Sequence, residues 1–536
     1  MEEAVSEKKK SIFTRWIKDN YDKVFIAVLV LAFLIRFWVF LKTLNQPLWW
    51  DAADYLTTAK RWAGFNLNNI WYYRRGFFWA LFCALFFKIG LGETTIRFTE
   101  LLFSTGIVAV SYFLVKDMFN KKLALLTTIG LTFSWVILFF SGRVLTDIPS
   151  AFFLLTSVLL FWKGYVLKQG NKFLYLFAVF YAISVLTRMQ YLMFAIPILI
   201  FIFTKEKFSM FKNKKLWVAA AIFILFLIPQ VILYSSHYGN PVTDILSHYF
   251  GIQVSSEIPV NITPGFSNVF DYFLDLPYIL TLPVFLLFII GIFYFFASLF
   301  LGFDRIFTDE HIQNQFFVFL WIAIAFLFLG YMTMYVEQRY IIQTLPFVFL
   351  VAFSPLSSLP QFFSSKFSIS KKISVLLVCT ILIFLMIYPA IGFLKNTKSN
   401  LSWSKELIEA KSTSYLEVKQ AGEWIKQNSL PEDIILSVSL PQTMYYSERK
   451  TYPFDIGSQD MCARDTALCN KYSEGEKGFE EFIKENKPKY LIVSAFEVHP
   501  DWTNSYINNN QQSLIPVQAY MQNQQPVLVI YQFKYS

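Results

Sequence analysis

The chain has 536 residues, of which 55% are hydrophobic, 19% are aromatic and only 16% are charged. In soluble chains about a quarter of the residues are charged. The composition therefore excludes a string of soluble domains, an intrinsically disordered chain and a disulfide mini-scaffold. The net charge is +10. Because Lys and Arg lie mostly in short loops between apolar runs, this charge indicates membrane orientation rather than nucleic-acid binding. The sequence predicts a polytopic α-helical membrane protein.

About eleven apolar runs have a length suited to membrane-spanning helices. None carries the small-residue cleavage site of a signal peptide, which predicts that the first run remains as an uncleaved helix. The run centres lie near Leu31, Ala109, Ile129, Leu155, Ala178, Ile198, Leu225, Leu287, Ile324, Leu350 and Ile383.

The distribution of basic residues predicts the orientation of these spans. The N-terminal segment is rich in Lys and Arg, whereas residues 236–277 contain neither. By the positive-inside rule the N-terminus is cytoplasmic, and an odd number of spans places the C-terminus on the extracytoplasmic side of the cell membrane. The basic residues of the N-terminal segment are Lys8, Lys9, Lys10, Arg15, Lys18 and Lys23.

Two segments are predicted to lie outside the spans. Residues 77–90 form an apolar stretch of about 14 residues, which is short for spanning and suits a helix in the membrane interface. From about Lys395 onward, amphipathic helices alternate with short apolar strands. We therefore expect a transmembrane domain over residues 1–394 and an extracytoplasmic mixed α/β domain over residues 395–536. Cys462 and Cys469 lie close together in this second domain, and the sequence leaves their disulfide pairing open.

The first predicted external loop carries a pair of carboxylates. Asp51 follows two Trp residues, and Asp54 lies three residues later, so that both can share one face of a helix. Tyr55 lies on the apolar side of the same helix. The simpler alternative is that Asp51 only caps the helix.

The second external loop is short and places Asp147 directly before Ile148 and Pro149. Arg143 precedes Asp147 by one helical turn. A helix cap with an Arg salt bridge would explain this arrangement, whereas a carboxylate buried in the bilayer would mark a functional site.

Further charged residues recur at the predicted external helix ends. Snorkelling explains any one of them, but several together suit a site where a lipid phosphate meets a polar substrate. These charged residues are Arg36, Arg188, Glu337 and Arg339, with Arg74 and Arg75 in the first loop.

His237 and His248, in the long loop, are weaker candidates for metal ligands.

Three stretches resemble the GT-C superfamily of polyprenyl-phosphate-sugar glycosyltransferases, and in particular glycosyltransferase family 39, the aminoarabinose transferases and the protein O-mannosyltransferases. They are the WWDAADY motif around Asp51, the second to fourth spans with the Arg143-to-Pro149 loop, and the Arg339-Tyr340 to Leu345-Pro346 segment. The resemblance covers roughly residues 20–395 and implies the GT-C fold. The sequence departs from the family pattern at position 52, where it has Ala and many relatives have a second acidic residue. Whether the protein uses a divalent metal cofactor is therefore left open.

The resemblance implies an inverting transfer of a sugar from a polyprenyl (dolichyl or undecaprenyl) phosphate to a protein, glycan or lipid acceptor on the extracytoplasmic face. Asp51 would then be the base that deprotonates the acceptor, and Asp147 would bind hydroxyl groups or orient a metal. The substrate-binding candidates are Asp54, Tyr55, Arg74, Arg75, Arg143, Arg188, Glu337 and Arg339. This assignment also predicts that Asp51 and Asp147 meet in one wet pocket above the outer leaflet.

Two alternatives remain open on the sequence. A secondary transporter would usually show internal repeats and charges at mid-membrane depth, which this sequence lacks. A non-catalytic membrane scaffold of the same fold is compatible with Ala52. Loss of sugar transfer in an Asp51→Ala variant of normal abundance separates the enzyme from both.

Overall fold

A computed structural model describes residues 20–240, 267–332, 336–387 and 400–535. The chain divides into two compact units, which are not contiguous in sequence. The first unit consists of Met1–Leu41, Thr99–Gly142 and Thr146–Glu409. The second unit consists of Lys42–Phe98, Arg143–Leu145 and Ala410–Ser536. The first external loop therefore belongs with the C-terminal tail, whereas the sequence groups it with the transmembrane domain.

Helices dominate the chain as far as residue 411. They are α1 (Asn20–Thr43), α2 (Trp50–Trp62), α3 (Phe78–Lys88), α4 (Glu93–Met118), α5 (Lys121–Phe133), α6 (Trp135–Phe140), α7 (Asp147–Phe161), α8 (Asn171–Thr187), α9 (Ala195–Glu206), α10 (Lys214–Tyr238), α11 (Ser267–Leu280), α12 (Leu282–Leu301), α13 (Glu310–Met332), α14 (Leu345–Phe353), α15 (Leu359–Phe367), α16 (Lys371–Ile387) and α17 (Asn400–Lys411).

Every predicted run centre lies within one of these helices, but fewer helices span by length than the sequence suggests. Six are long and apolar enough to cross a membrane, or seven if the bent pair α14–α15 counts as one span, among the residues described. The run around Ile129 is split at Ser134 into α5 and α6. The runs around Ala178 and Ile198 form helices of 17 and 12 residues. Some of the predicted apolar runs thus form short helices or helices that are interrupted by a break. The chain is a multi-pass membrane protein.

Arg36 joins three helices of the first unit. Its side chain is fully buried and donates hydrogen bonds to Ser104 Oγ at 2.8 Å and to the carbonyl oxygen of Leu131 at 3.1 Å. It also contacts the carbonyl oxygen of Thr132 at 3.4 Å. Leu131 and Thr132 lie in the last turn of α5, where main-chain carbonyl groups lack helical donors. Arg36 therefore stabilises helix packing rather than contributing to the predicted phosphate site.

Helices α12 and α14 approach each other closely in the first unit. A Cβ atom added at Gly291 would lie 2.1 Å from the carbonyl oxygen of Val351 and 3.2 Å from Cα of Ala352. No side chain fits at that distance, so the glycine permits main-chain contact between the two helices. Small residues serve this purpose widely in membrane helix packing.

The tail forms the predicted mixed α/β fold within the second unit. A five-stranded sheet has the order β2-β1-β3-β5-β4. Strands β1, β2 and β3 are parallel to one another, whereas β5 pairs antiparallel with both β3 and β4. The strands are β1 (Ile434–Ser437), β2 (Lys450–Tyr452), β3 (Tyr490–Ser494), β4 (Leu514–Gln522) and β5 (Gln525–Phe533).

Helices precede the first strand of the tail and connect the strands that follow, as far as β4. The alternation of helices and short strands predicted for the tail is observed. Cys462 and Cys469 form a disulfide with their Cα atoms 5.4 Å apart. The helices are α18 (Leu416–Asn428), α19 (Leu440–Ser447), α20 (Gln459–Cys462), α21 (Thr466–Lys471), α22 (Glu476–Asn486) and α23 (Thr503–Asn509), after α17 at the start of the tail.

Candidate functional site

Helix α2 presents the two aspartates of the first loop to a single arginine. Arg75 donates one hydrogen bond to Asp51 Oδ1 and another to Asp54 Oδ2, each at 2.9 Å. The three-residue spacing places both carboxylates on one face of the helix, as predicted. The Asp51 side chain is 35% exposed, whereas that of Asp54 is fully buried. Asp51 is therefore the member of the pair that solvent or a substrate reaches.

Burial dominates the electrostatics of Asp54. Desolvation raises the pKa of its carboxyl, and the guanidinium groups of Arg75 and Arg464 act in the opposite direction. The Asp54 carboxylate also raises the pKa of Arg75 against the effect of burial, so that this guanidinium stays charged. Arg75 thus provides a fixed positive charge beside Asp51.

Neither Asp51 nor Asp147 occupies the N-cap position of its helix. Helix α2 is preceded by Trp49 at its N-cap position, and Asp51 lies in the first turn. Helix α7 begins at Asp147, with Thr146 as its N-cap residue. The cap alternative is not observed for either residue, although a carboxylate in a first turn still interacts favourably with the helix dipole.

The predicted arginines of the second unit are each held by an aromatic ring. The Arg75 guanidinium lies over the Tyr55 ring at 5.3 Å. Arg74 donates a hydrogen bond to the hydroxyl of Tyr72 at 2.6 Å. Arg143 stacks on Trp49, with its guanidinium carbon 4.3 Å from the ring centroid. Cation–π contacts of this kind hold guanidinium groups without neutralising them.

A second charged cluster lies within the first unit at the start of α7. Asp147 is buried and forms an ion pair with Arg188, and its Oδ2 lies 3.8 Å from the Arg339 guanidinium. Arg188 is the residue that follows α8, in an extended conformation between two helical segments. The chain thus leaves the helical conformation at the residue that pairs with Asp147.

Aromatic and acidic groups complete this second cluster. Tyr340 packs under two cations, with the guanidinium of Arg188 at 4.5 Å and that of Arg339 at 5.3 Å from its ring centroid. Glu337 accepts a hydrogen bond from Arg339 Nε at 2.8 Å. The sequence predicted Arg188, Glu337 and Arg339 as site residues, and the fold brings them together with Asp147.

The carboxylates of these clusters are bonded to guanidinium groups, which is not how a divalent metal centre is built. No group of three His, Cys, Asp or Glu side chains suited to a metal occurs in the part of the chain that the structure describes. His237 lies in the last turn of α10, and His248 lies outside the described residues. The residues described do not fit a metal site.

Two participants were not predicted from the sequence. Arg464, in the tail, donates to Asp54 Oδ2 at 3.3 Å. Tyr340 lies in the predicted Arg-Tyr motif, but only the fold shows that both Arg188 and Arg339 contact its ring. The sequence separation between Arg464 and Asp54 left no periodic signal that could connect them.

Comparison with known families gives a match over part of the chain. The family described as dolichyl-phosphate-mannose-protein mannosyltransferase matches residues 74–233. This range includes the centres of the second to seventh predicted spans and the loop that holds Asp147. A comparison with curated proteins finds no match.

Solved structures resemble the whole chain. ArnT from Cupriavidus metallidurans in the apo state is 13% identical with a TM-score of 0.64, and the match covers 97% of this chain and 98% of that one. ArnT bound to undecaprenyl phosphate is 14% identical with a TM-score of 0.64, over 95% and 97%. AglB from Archaeoglobus fulgidus, in complex with an inhibitory peptide and a dolichol-phosphate, is 14% identical with a TM-score of 0.55, over 89% and 70%. At these identities the likeness concerns the fold, and the predicted GT-C architecture is confirmed.

Proposed function

We propose that this chain, a membrane glycosyltransferase with the GT-C fold, moves a sugar from a polyprenyl phosphate to a protein, glycan or lipid acceptor on the extracytoplasmic face. One observation carries the proposal. Asp51, the residue that the family resemblance designates as the base, is partly exposed and is held by a permanently charged arginine. A base must be accessible and fixed in orientation, and Asp51 meets both requirements.

The proposed step is a single displacement with inversion at the anomeric carbon. The acceptor oxygen attacks C1 of the sugar while Asp51 takes the hydroxyl proton. The bond from C1 to the phosphate oxygen breaks, and its electron pair leaves with the polyprenyl phosphate. A positioned base contributes roughly 10²–10⁴-fold to such a rate.

The departing phosphate requires cations, and stabilising the charge that develops on it is the larger catalytic effect. In the first unit, Arg188 and Arg339 are the candidates, with Asp147 keeping both guanidinium groups in place. In the second unit, Arg74 and Arg143 are the candidates, each oriented by an aromatic ring. Arg75 already bonds to both carboxylates, which favours a role in holding the base rather than binding phosphate.

We further propose that the N-terminus is cytoplasmic and that the tail lies on the extracytoplasmic side. The disulfide between Cys462 and Cys469 supports this orientation, because disulfides persist in oxidising compartments. The Lys-rich connections agree with it by the positive-inside rule. Labelling of single introduced cysteines in the loops of intact cells tests the orientation directly.

The function is tested by removing the gene and analysing the cell envelope by mass spectrometry. We expect a polyprenyl-phosphate sugar to accumulate and one class of surface glycan to lose that sugar. Purified full-length protein, added to the lipid extract of the deletion strain together with its delipidated envelope as acceptor, should release free polyprenyl phosphate. We call this measurement the donor-consumption assay. An unchanged lipid-linked sugar pool together with no release in this assay would overturn the proposal.

A further inference from the structure

The first loop and the tail are hydrogen-bonded to each other within the second unit. The Asn68 side chain donates to the carbonyl oxygen of Thr451 and accepts from its amide nitrogen, both at 2.9 Å. Thr57 Oγ1 donates to the carbonyl oxygen of Pro441 at 3.1 Å. The paired contacts of Asn68 imitate those of a neighbouring strand, and they fix the register of the loop on the tail.

An apolar cluster accompanies these hydrogen bonds. It is formed by side chains of the loop and of the tail that are at most 7% exposed. Apolar burial supplies the free energy that keeps the two segments together, at roughly 25 cal/mol per Å². The cluster consists of Leu67, Ile70, Leu440, Met444 and Met461.

From this packed region, Arg464 reaches the carboxylate pair. Its Nη1 donates to Asp54 Oδ2 at 3.3 Å and to the carbonyl oxygen of Ile70 at 2.7 Å, and its Nε donates to Asp460 at 3.1 Å. The Arg464 side chain is 6% exposed. A guanidinium so deeply buried is costly unless it is paired, so Arg464 has a strong preference for this one position.

The contact continues to Asp51. Asp54 Oδ2 accepts from both Arg464 and Arg75, and Arg75 also donates to Asp51 Oδ1. Four charged side chains therefore alternate in sign along one hydrogen-bonded row. A shift of Arg464 moves Asp54, and hence the guanidinium that orients Asp51.

The disulfide encloses the segment that carries Arg464. Cys462 ends α20 and Cys469 lies in α21, so Arg464 is in the short loop that the bond closes. The main chain of Arg464 is held as well, because its carbonyl oxygen accepts from Asn69 Nδ2 at 3.2 Å. A covalent closure of this kind reduces the number of conformations available to the loop.

We propose that Arg464 is a positioning residue of the transferase site, which holds Asp54 and Arg75 so that Asp51 is aligned, and that the Cys462–Cys469 disulfide keeps Arg464 in that position. This inference rests on the proposed function, with Asp51 as the base. It makes the tail a part of the reaction centre, and it makes full activity dependent on an oxidising compartment.

Arg449 provides a matched control for the test. It is 7% exposed and, like Arg464, donates to several groups of the tail, among them Ser429 Oγ at 2.9 Å and the carbonyl oxygen of Lys426 at 3.0 Å. The Arg449 side chain donates to groups of the tail, whereas Arg464 also contacts Asp54. Arg449→Gln therefore reports the effect of losing a buried arginine without loss of the carboxylate contact.

The experiment compares Arg464→Gln, Arg464→Lys and Arg449→Gln in the full chain, using the donor-consumption assay and the unfolding temperature. We expect Arg464→Gln to lower kcat by on the order of 10²-fold with a smaller change in KM, because misplacement of a reacting group by an ångström has effects of that size. Arg464→Lys should recover part of the loss, since it retains the charge. Arg449→Gln should lower the unfolding temperature at nearly unchanged kcat.

The pH profile separates positioning from folding. The charge of Arg464 lowers the pKa of Asp54, so Arg464→Gln leaves this carboxyl protonated up to a higher pH. The acid limb of the activity profile should then move to higher pH in Arg464→Gln and stay in place in Arg464→Lys. A variant that is merely unstable would lose activity equally across the profile.

The role of the disulfide is tested with the Cys462→Ser/Cys469→Ser double variant. We expect its kcat to fall toward that of Arg464→Gln, and we expect no further fall when both changes are combined. Wild-type kcat and pH profile in Arg464→Gln would overturn the inference while leaving the proposed function intact, provided that Asp51→Asn is inactive in the same assay. A wild-type protein without donor consumption would overturn the proposed function itself.

Discussion

Arg188 and Asp147 form an ion pair at the point where α7 begins and α8 has just ended. The Asp147 side chain is 2% exposed and that of Arg188 is 12% exposed, so water barely screens the pair. Removing one partner from such a pair leaves an uncompensated buried charge, which costs more than the pair itself contributes. The pair therefore constrains the connection after α8, and it also holds the Arg188 guanidinium in a fixed position.

A double-mutant cycle on this pair is the first prediction. We expect Asp147→Asn and Arg188→Gln to lower the free energy of unfolding individually, and the double variant to lose less than the sum. The coupling energy should be roughly 0.5–3 kcal/mol, the range for side chains in direct contact. Unfolding of the full chain in detergent, followed by intrinsic tryptophan fluorescence, provides the measurement. Strictly additive effects would show that the two side chains do not interact.

The second prediction concerns the proposed base. Asp51→Asn retains the size of the side chain and a hydrogen-bond acceptor for Arg75, but it cannot take a proton. We expect donor consumption to fall by roughly 10²–10⁴-fold at unchanged protein abundance. Glu474→Gln, at an exposed position of the same unit, is the matched control and should leave the rate unchanged. Substantial activity in Asp51→Asn would remove Asp51 from the role of base.

The third prediction tests the close approach of α12 and α14. Gly291→Ala introduces a Cβ atom where main-chain atoms of Val351 and Ala352 already lie. The helices must separate to accept it, so we expect the unfolding temperature to fall, with an energetic cost of about 1–3 kcal/mol. Gly92→Ala is the control, because a Cβ atom there meets nothing within 4 Å. Equal unfolding temperatures for the two variants would contradict the close packing.

The class of fold was predictable from the sequence for identifiable physical reasons, whereas the roles of the site residues stay predictions. Apolar runs and the spacing of Asp51 and Asp54 are local properties, and the structure contains both the helices and the shared carboxylate face that they predict. Among the described residues, fewer helices are long and apolar enough to span than the sequence suggests, in part because hydropathy does not register a break such as Ser134, where the chain leaves the helical conformation without becoming polar. The predicted meeting of Asp51 and Asp147 stays a prediction, since they belong to separate units.

The grouping of the first loop with the tail was not predictable for a different reason. It depends on contacts such as Asn68 with Thr451 and Lys60 with Glu448, which join distant parts of the sequence. No periodicity marks such pairs in a single sequence, because each is one contact between two residues that lie far apart in the chain. The same holds for Arg464, whose importance depends entirely on the Asp54 carboxylate beside it.

Metal dependence follows from the chemistry of the carboxylates. Arg75 bonds to Asp51 and Asp54, and Arg188 bonds to Asp147, so a divalent cation would have to displace a guanidinium group at either cluster. We expect that treatment with EDTA leaves the rate of donor consumption unchanged and that added Mg²⁺ or Mn²⁺ does not raise it. A rate abolished by EDTA and restored by one of these ions would contradict this expectation.

The last prediction concerns the acid stability of the second unit. Burial raises the pKa of Glu448, but hydrogen bonds from Lys426 and Lys60, at 2.6 and 2.8 Å, outweigh it and leave the pKa below the ordinary 4.5. A depressed carboxyl pKa stabilises the fold above the unfolded value and ceases to do so as the pH falls through the folded value. We therefore expect the unfolding temperature of the wild type to drop below about pH 4.5, and Glu448→Gln to drop less over the same interval. The exposed Glu432→Gln serves as control. Parallel curves for wild type and Glu448→Gln would show that this ion pair does not contribute to the acid transition.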